Sequence, residues 1–202
     1  MRSLLFLLLA SSSAAQRPVV EVFLPPTPET VRLALVHAEI VVTEIYRDIG
    51  IQVQWRATTR RPSGCEATGG HAQIVVAVAA TPPKGLSREA LAYSTPSETI
   101  GPCVALLLDR FAETLRMNPK SGGSLLGHVL AHEMGHILQG VSRHSYEGVM
   151  KARWSLHDTR VMAFQRMRFS DEDRDLILNV LSKSQARRPD RVNPSFIETP
   201  WF

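Results

Sequence analysis

His132-Glu133-Met134-Gly135-His136 is the stretch whose residue types and spacing can do chemistry. Two histidines four residues apart on a helix project from one face, one turn apart. Both imidazoles can then reach one metal ion at about 2.0–2.1 Å. Glu133 is rotated around the helix by one residue, so its carboxylate can approach a metal-held water without ligating the metal. Zinc lowers the pKa of such a water to about 7, which makes hydroxide available at neutral pH. A catalytic zinc site takes three protein ligands and keeps a fourth position open. His144, four residues beyond Gly140, is the first candidate for the third ligand. His157, or a carboxylate of the last helix such as Glu172 or Asp175, remains an alternative. His128 lies one turn before His132 on the same face. It is expected to line the groove as a polar residue, because a fourth histidine would leave no open position.

These residues need a helix to carry them. Leu125, Leu126, Val129, Leu130, Ile137 and Leu138 give 124–139 the apolar surface of a buried helix, and Gly140 is a natural stop. Upstream, Val19–Leu24 reads as a strand ended by Pro25-Pro26. Thr27, Pro28 and Glu29 resemble a capped helix start, and Val31, Leu35, Ala38, Val42 and Ile45 recur at helical spacing up to Gly50. Strands are expected at 51–55, at 74–80, at 104–109 and, as a short edge strand, at 91–94. Residues 141–168 read as mostly irregular. Ser170 with Asp173 three residues on is a capping-box pattern opening a last helix, with Leu176, Ile177, Val180 and Leu181 on its buried side. The mixture of strands and helices predicts an α/β (α+β) fold.

The chain has 202 residues, enough for one domain with a substantial core. Its apolar fraction of 44% and charged fraction of 21% exclude a disordered tail, a collagen-like repeat or a disulfide-dense miniature scaffold. A net charge of +4 without a Lys/Arg stripe argues against a nucleic-acid partner. Residues 1–15 have the basic start, short apolar run (LLFLLLA) and small polar end of a secretory signal, cut before Gln16. The predicted organisation is therefore signal 1–15, a single domain 16–185 and a loose tail 186–202. The mature chain is expected to be secreted or periplasmic, monomeric and without a membrane span. No propeptide is expected between the cut and the first strand. In an oxidising compartment Cys65 and Cys103 are expected to pair, closing a loop worth about 4 kcal/mol.

HEMGHILQGVSRHSYEGVM resembles the zinc-binding stretch and Met-turn of the metzincin metallopeptidases, whose pattern is HExxHxxGxxH, followed in the matrixin branch by Ser and a short loop to a methionine. The resemblance makes His132, His136 and His144 the metal ligands of one Zn2+ ion, Glu133 the catalytic base, Gly140 the turn glycine and Met150 the Met-turn residue. The glycine falls one residue later than in the family pattern and the third histidine two residues later. The resemblance extends loosely to the order of elements. It implies a zincin-like domain with a twisted mixed sheet of about four to five strands, a long N-terminal helix, a zinc-bearing helix and a C-terminal helix. It also implies that the edge strand at 91–94 takes the substrate by strand addition.

The chemistry so implied is that of an exported zinc metalloendopeptidase acting on a peptide or protein. A non-catalytic zinc module of the same fold, or a zinc hydrolase of a non-peptide bond, is the alternative. Tyr146 and Arg153 are near enough in sequence to be weighed as a second oxyanion donor, although packing or solvation explains each of them. Residues after Met150, Trp154 among them, are expected to wall the pocket beside the scissile bond.

Overall fold

The computed structural model describes residues 17–57, 73–97 and 101–186. The expected signal segment, Cys65 and the expected tail beyond Ala186 lie outside the described residues. The elements run β1 (Val19–Leu24), α1 (Glu29–Asp48), β2 (Gln52–Ala57), β3 (Gln73–Val78), β4 (Ala92–Ser97), β5 (Gly101–Leu106), α2 (Leu108–Met117), α3 (Gly122–Gln139), α4 (Leu156–Met162) and α5 (Asp171–Ala186).

The five strands form one sheet in the order β2-β1-β3-β5-β4. β1 pairs in parallel with β2 and β3, and β3 in parallel with β5. β4 alone is antiparallel, and it lies at the edge beside β5. The alternating burial of β1, with Val20, Val22 and Leu24 inward, is that of a strand with one face on the core. The mixed α/β sheet with a short antiparallel edge strand is as expected, although β4 begins and ends later than the expected 91–94.

α1 buries Val31, Ala34, Leu35, Ala38, Val41, Val42, Ile45 and Tyr46 along one side, which includes every residue of the stripe read from the sequence. Its start differs in one respect. Pro28 occupies the N-cap without a side-chain hydrogen bond, so Thr27 is not the capping residue. α1 packs on α3, and glycine makes the approach possible. A Cβ at Gly127 would come within 2.6 Å of the Val41 Cβ. The Tyr46 hydroxyl donates to the Ala131 carbonyl at 2.9 Å, which satisfies a buried polar group and ties α1 to the turn that carries His132.

Two helices differ from the expected reading. α2 takes over the last two residues of the strand expected at 104–109 and runs on through 110–117, where no element was expected, because the apolar run around 104–109 is shared between the end of β5 and the first turn of α2. Phe111 is the one residue of α2 that is fully buried. α4 lies within the stretch expected to be irregular. It is started by a capping box in which the Ser155 hydroxyl accepts from the Asp158 amide and the Asp158 carboxylate accepts from the Ser155 amide. The Ser124 hydroxyl donates to the Met162 carbonyl at 2.5 Å, so α4 is fastened to α3. Cys103 is fully buried in β5. No described helix is long and apolar enough to cross a membrane.

Candidate metal centre

α3 runs through the interior, with Leu126, Leu130, Met134, Ile137 and Leu138 wholly buried. That burial fixes which side of the helix remains for His132, Glu133 and His136. The helix ends at Gly140, whose φ of 67° is left-handed, and its amide donates to the His136 and Ile137 carbonyls at 3.1 Å. Glycine adopts this conformation without the steric cost a side chain would meet. The reversal sends the chain back past the helix and brings His144 to the histidine pair.

One ligating nitrogen from each of His132, His136 and His144 lies within 4.8 Å of the others, a group that can hold a metal ion. The Nε2 atoms of His132 and His136 are 3.1 Å apart. Two imidazole nitrogens on adjacent corners of a tetrahedron, each about 2.05 Å from a central zinc, would stand about 3.3 Å apart. The pair is thus already at the separation a metal requires. The His144 ring centroid is 5.3 Å from that of His132 and 4.9 Å from that of His136.

The surroundings of the rings point the same way. His132 Nδ1 lies 2.8 Å from the Val149 carbonyl. A carbonyl can only accept, so Nδ1 carries the proton and Nε2 is left with its lone pair free for a metal. His136 Nδ1 is buried with no partner at hydrogen-bonding geometry; the Val141 backbone is close enough to favour the protonated ring somewhat but does not close a bond. Burial, followed by the neighbouring His132, pushes the His136 pKa down to about 4. Burial likewise lowers that of His132. Neutral imidazole is the form that binds metal. A donor set of three imidazole nitrogens fits zinc with one position left open.

Glu133 sits beside the pair, under the edge strand. Burial raises its carboxyl pKa, and hydrogen bonds from the Ser94 hydroxyl and backbone, together with the His136 ring, oppose that rise. Ser94 of β4 was not singled out from the sequence. Alternation along β4 puts Ala92 and Ser94 on one side of the strand and Tyr93 on the other. A cleft of about 360 Å³ runs along this side. It is bounded by Ser87 and by Glu89 to Ala92 ahead of and within β4, by Leu125, Val129, His132 and Glu133 of α3, and by Lys151 to Trp154 with Thr159. Trp154 meets the His132 ring edge-on at 5.5 Å. The residues after Met150 do wall the cleft, as expected from the sequence.

Met150 is fully buried beneath α3. A Cβ at Gly135 would collide with its sulfur, so the glycine inside the motif makes room for the methionine. The Ser145 amide donates to the Met150 carbonyl at 2.8 Å, closing the loop between the third histidine and the turn. Gly148, at φ 73°, lets the chain lie directly against the Arg168 carbonyl.

The other candidates fall elsewhere. His157 is an exposed residue of α4. Glu172 pairs with Arg143 at 2.9 Å and Asp175 with Arg174 at 3.0 Å. None of the three belongs to the metal group. Tyr146 is 97% exposed. His128 does not line the groove. It is fully buried, with Nδ1 at 2.8 Å from the Ser124 carbonyl and Nε2 accepting from the Met167 amide at 3.0 Å. The segment ahead of α5 folds over it, a long-range event that the helix spacing alone does not reveal.

No family model and no curated protein matches the sequence. Solved structures do. Archaemetzincin from Methanopyrus kandleri is similar over 81% of this chain and 96% of its own, with a TM-score of 0.50 and 14% identity. Metalloproteinase-II from Bacteroides fragilis is similar over 84% of this chain and 55% of its own, with a TM-score of 0.46 and 13% identity. At 14% identity the likeness to archaemetzincin is one of fold, and together with the three-histidine group it gives this chain a metzincin-like architecture.

Proposed function

We propose that the chain is an exported zinc-dependent metalloendopeptidase. The observation that carries the reading is the convergence of His132, His136 and His144 to within 4.8 Å, with Glu133 of the same helix facing the cleft beside β4. Held by the three imidazoles, a zinc ion would supply Lewis acidity toward a scissile carbonyl and toward the attacking water. The chain's own residues do the rest. β4 offers the free side of an edge strand, on which an extended peptide can add as a further strand. The Glu133 carboxylate takes a proton from the attacking water and returns it to the leaving nitrogen as the C–N bond breaks. Ser94, donating to that carboxylate, orients it. The cleft receives the side chain that follows the bond.

Export rests on residues 1–15, and a Cys65–Cys103 bridge belongs to the same proposal. The test is to incubate residues 16–202 with zinc and a complex peptide mixture, and to read new termini by mass spectrometry beside Glu133→Ala. Cleavages that vanish in the variant support the reading. A folded, zinc-loaded chain that cuts nothing, or cuts as well without Glu133, overturns it.

A further inference from the structure

The stretch between the second and third histidines is where this chain departs most from the pattern it resembles, for His144 arrives two residues late. A longer loop has more conformations, and an exposed histidine on it must be brought to the metal group by something. Asp173 of α5 is placed to do this. It is fully buried, and a buried carboxylate is tolerated only when donors surround it. Ser145 Oγ lies 2.7 and 2.8 Å from its two oxygens. Gln139 Nε2 donates at 3.0 Å, Arg143 at 3.4 Å and Ser170 Oγ at 2.6 Å. Gln139 is the last residue of α3, and Arg143 and Ser145 flank His144. One carboxylate therefore grips both ends of the loop. Arg143 also pairs with Glu172 at 2.9 Å, adding a second hold from α5.

We propose that Asp173, acting through Ser145 and Arg143, is the positioning residue that sets the third metal ligand, so that α5 preorganises His144 across a lengthened loop. Asp173 touches no ligand ring and is not itself a ligand. This rests on the metal-site reading above, and outer partners of metal ligands are commonly worth 10–100-fold in affinity.

The experiment measures zinc affinity by chelator competition for the full mature chain, Ser145→Ala, Ser145→Thr and His144→Ala, with metal-free thermal unfolding of each. Ser145→Ala removes the grip while leaving the buried carboxylate its other donors, so the fold survives. Its zinc affinity is expected to fall by about tenfold or more, toward that of His144→Ala, while its metal-free unfolding midpoint moves by no more than about 4 °C. Ser145→Thr, which keeps the hydroxyl, is expected to restore affinity. Ser145→Ala binding zinc within twofold of the unaltered chain overturns the proposal, and so does a drop that Ser145→Thr does not reverse. An unaltered chain that binds no zinc fails the metal-site reading itself, an outcome read from a different sample.

Discussion

Gly135 and Met150 make a prediction whose sign depends on a single contact. Met150 is fully buried, and the space for its sulfur exists because residue 135 has no Cβ; Phe169 Cε1 lies 3.3 Å from where that Cβ would be. Met150→Ala should cost about 2–5 kcal/mol, as buried Met-to-Ala changes do. Gly135→Ala in the unaltered chain gains about 1 kcal/mol of helix propensity but forces the thioether aside, at about 1–3 kcal/mol for overpacking. The net is zero to moderately destabilising. In the Met150→Ala background the collision with the sulfur is gone and only the Phe169 ring edge at 3.3 Å must give way slightly, so the same Gly135→Ala change should be neutral or stabilise by up to about 1 kcal/mol. The two substitutions are then coupled by roughly 1–3 kcal/mol. For a chain of this size, about 2–4 °C of unfolding midpoint corresponds to each kcal/mol. Circular dichroism melts of the four metal-free proteins close the cycle. If Gly135→Ala has the same effect, in sign and size, with and without the Met150 side chain, the packing assigned to the Met-turn is wrong.

Three other results follow from the same structure. His128 is held below its ordinary pKa by burial, so the unfolded chain takes up its proton first; stability is full above about pH 6.5 and falls as pH drops below it, a slope that denaturant midpoints of the metal-free chain from pH 7.5 to 5 should show and that His128→Gln should make shallower, the remainder coming from His132 and His136. Asp158, which Lys151 at 2.7 Å and the Ser155 cap hold down to about 2, contributes stability above its ordinary value of about 4 that is lost as pH falls toward 2; an NMR titration of its carboxyl should show this, and Lys151→Met should move the midpoint upward. Ser94→Ala, which strips Glu133 of its β4 donor, should lower kcat by about tenfold, the lower end for a hydrogen bond to a charged group, with KM little changed.

The parts of this structure that were legible in the sequence have local causes. The burial stripe of α1 and the HExxH helix show as 3.6-residue periodicity, and β4 as a short strand between loop signals. What could not be read depends on contacts distant in sequence. α2 has a single fully buried anchor, Phe111, and follows directly on an apolar strand, so periodicity had little to register. α4 was signalled only by the Ser155 and Asp158 capping pair, since Met162 is its one buried residue. The Ser170–Asp173 pattern was visible as a cap, and the amide of Asp173 is indeed held by Ser170 at 3.2 Å. That its carboxylate reaches Ser145 and Gln139 across the molecule was not, because such a contact exists only once α5 has docked. Among the third-ligand candidates, the return of the chain after Gly140 brings His144 beside His132 and His136, whereas His157, Glu172 and Asp175, which the sequence alone left open, lie outside that group.

The central claim is an open three-histidine zinc site, and zinc-edge X-ray absorption on the loaded chain tests it most directly. The account predicts one zinc per chain, with three imidazole nitrogens at about 2.0–2.1 Å and one oxygen completing the shell. In His144→Ala the nitrogen count should fall to two. Four protein ligands around the ion, or a nitrogen count unchanged by the loss of His144, would contradict it.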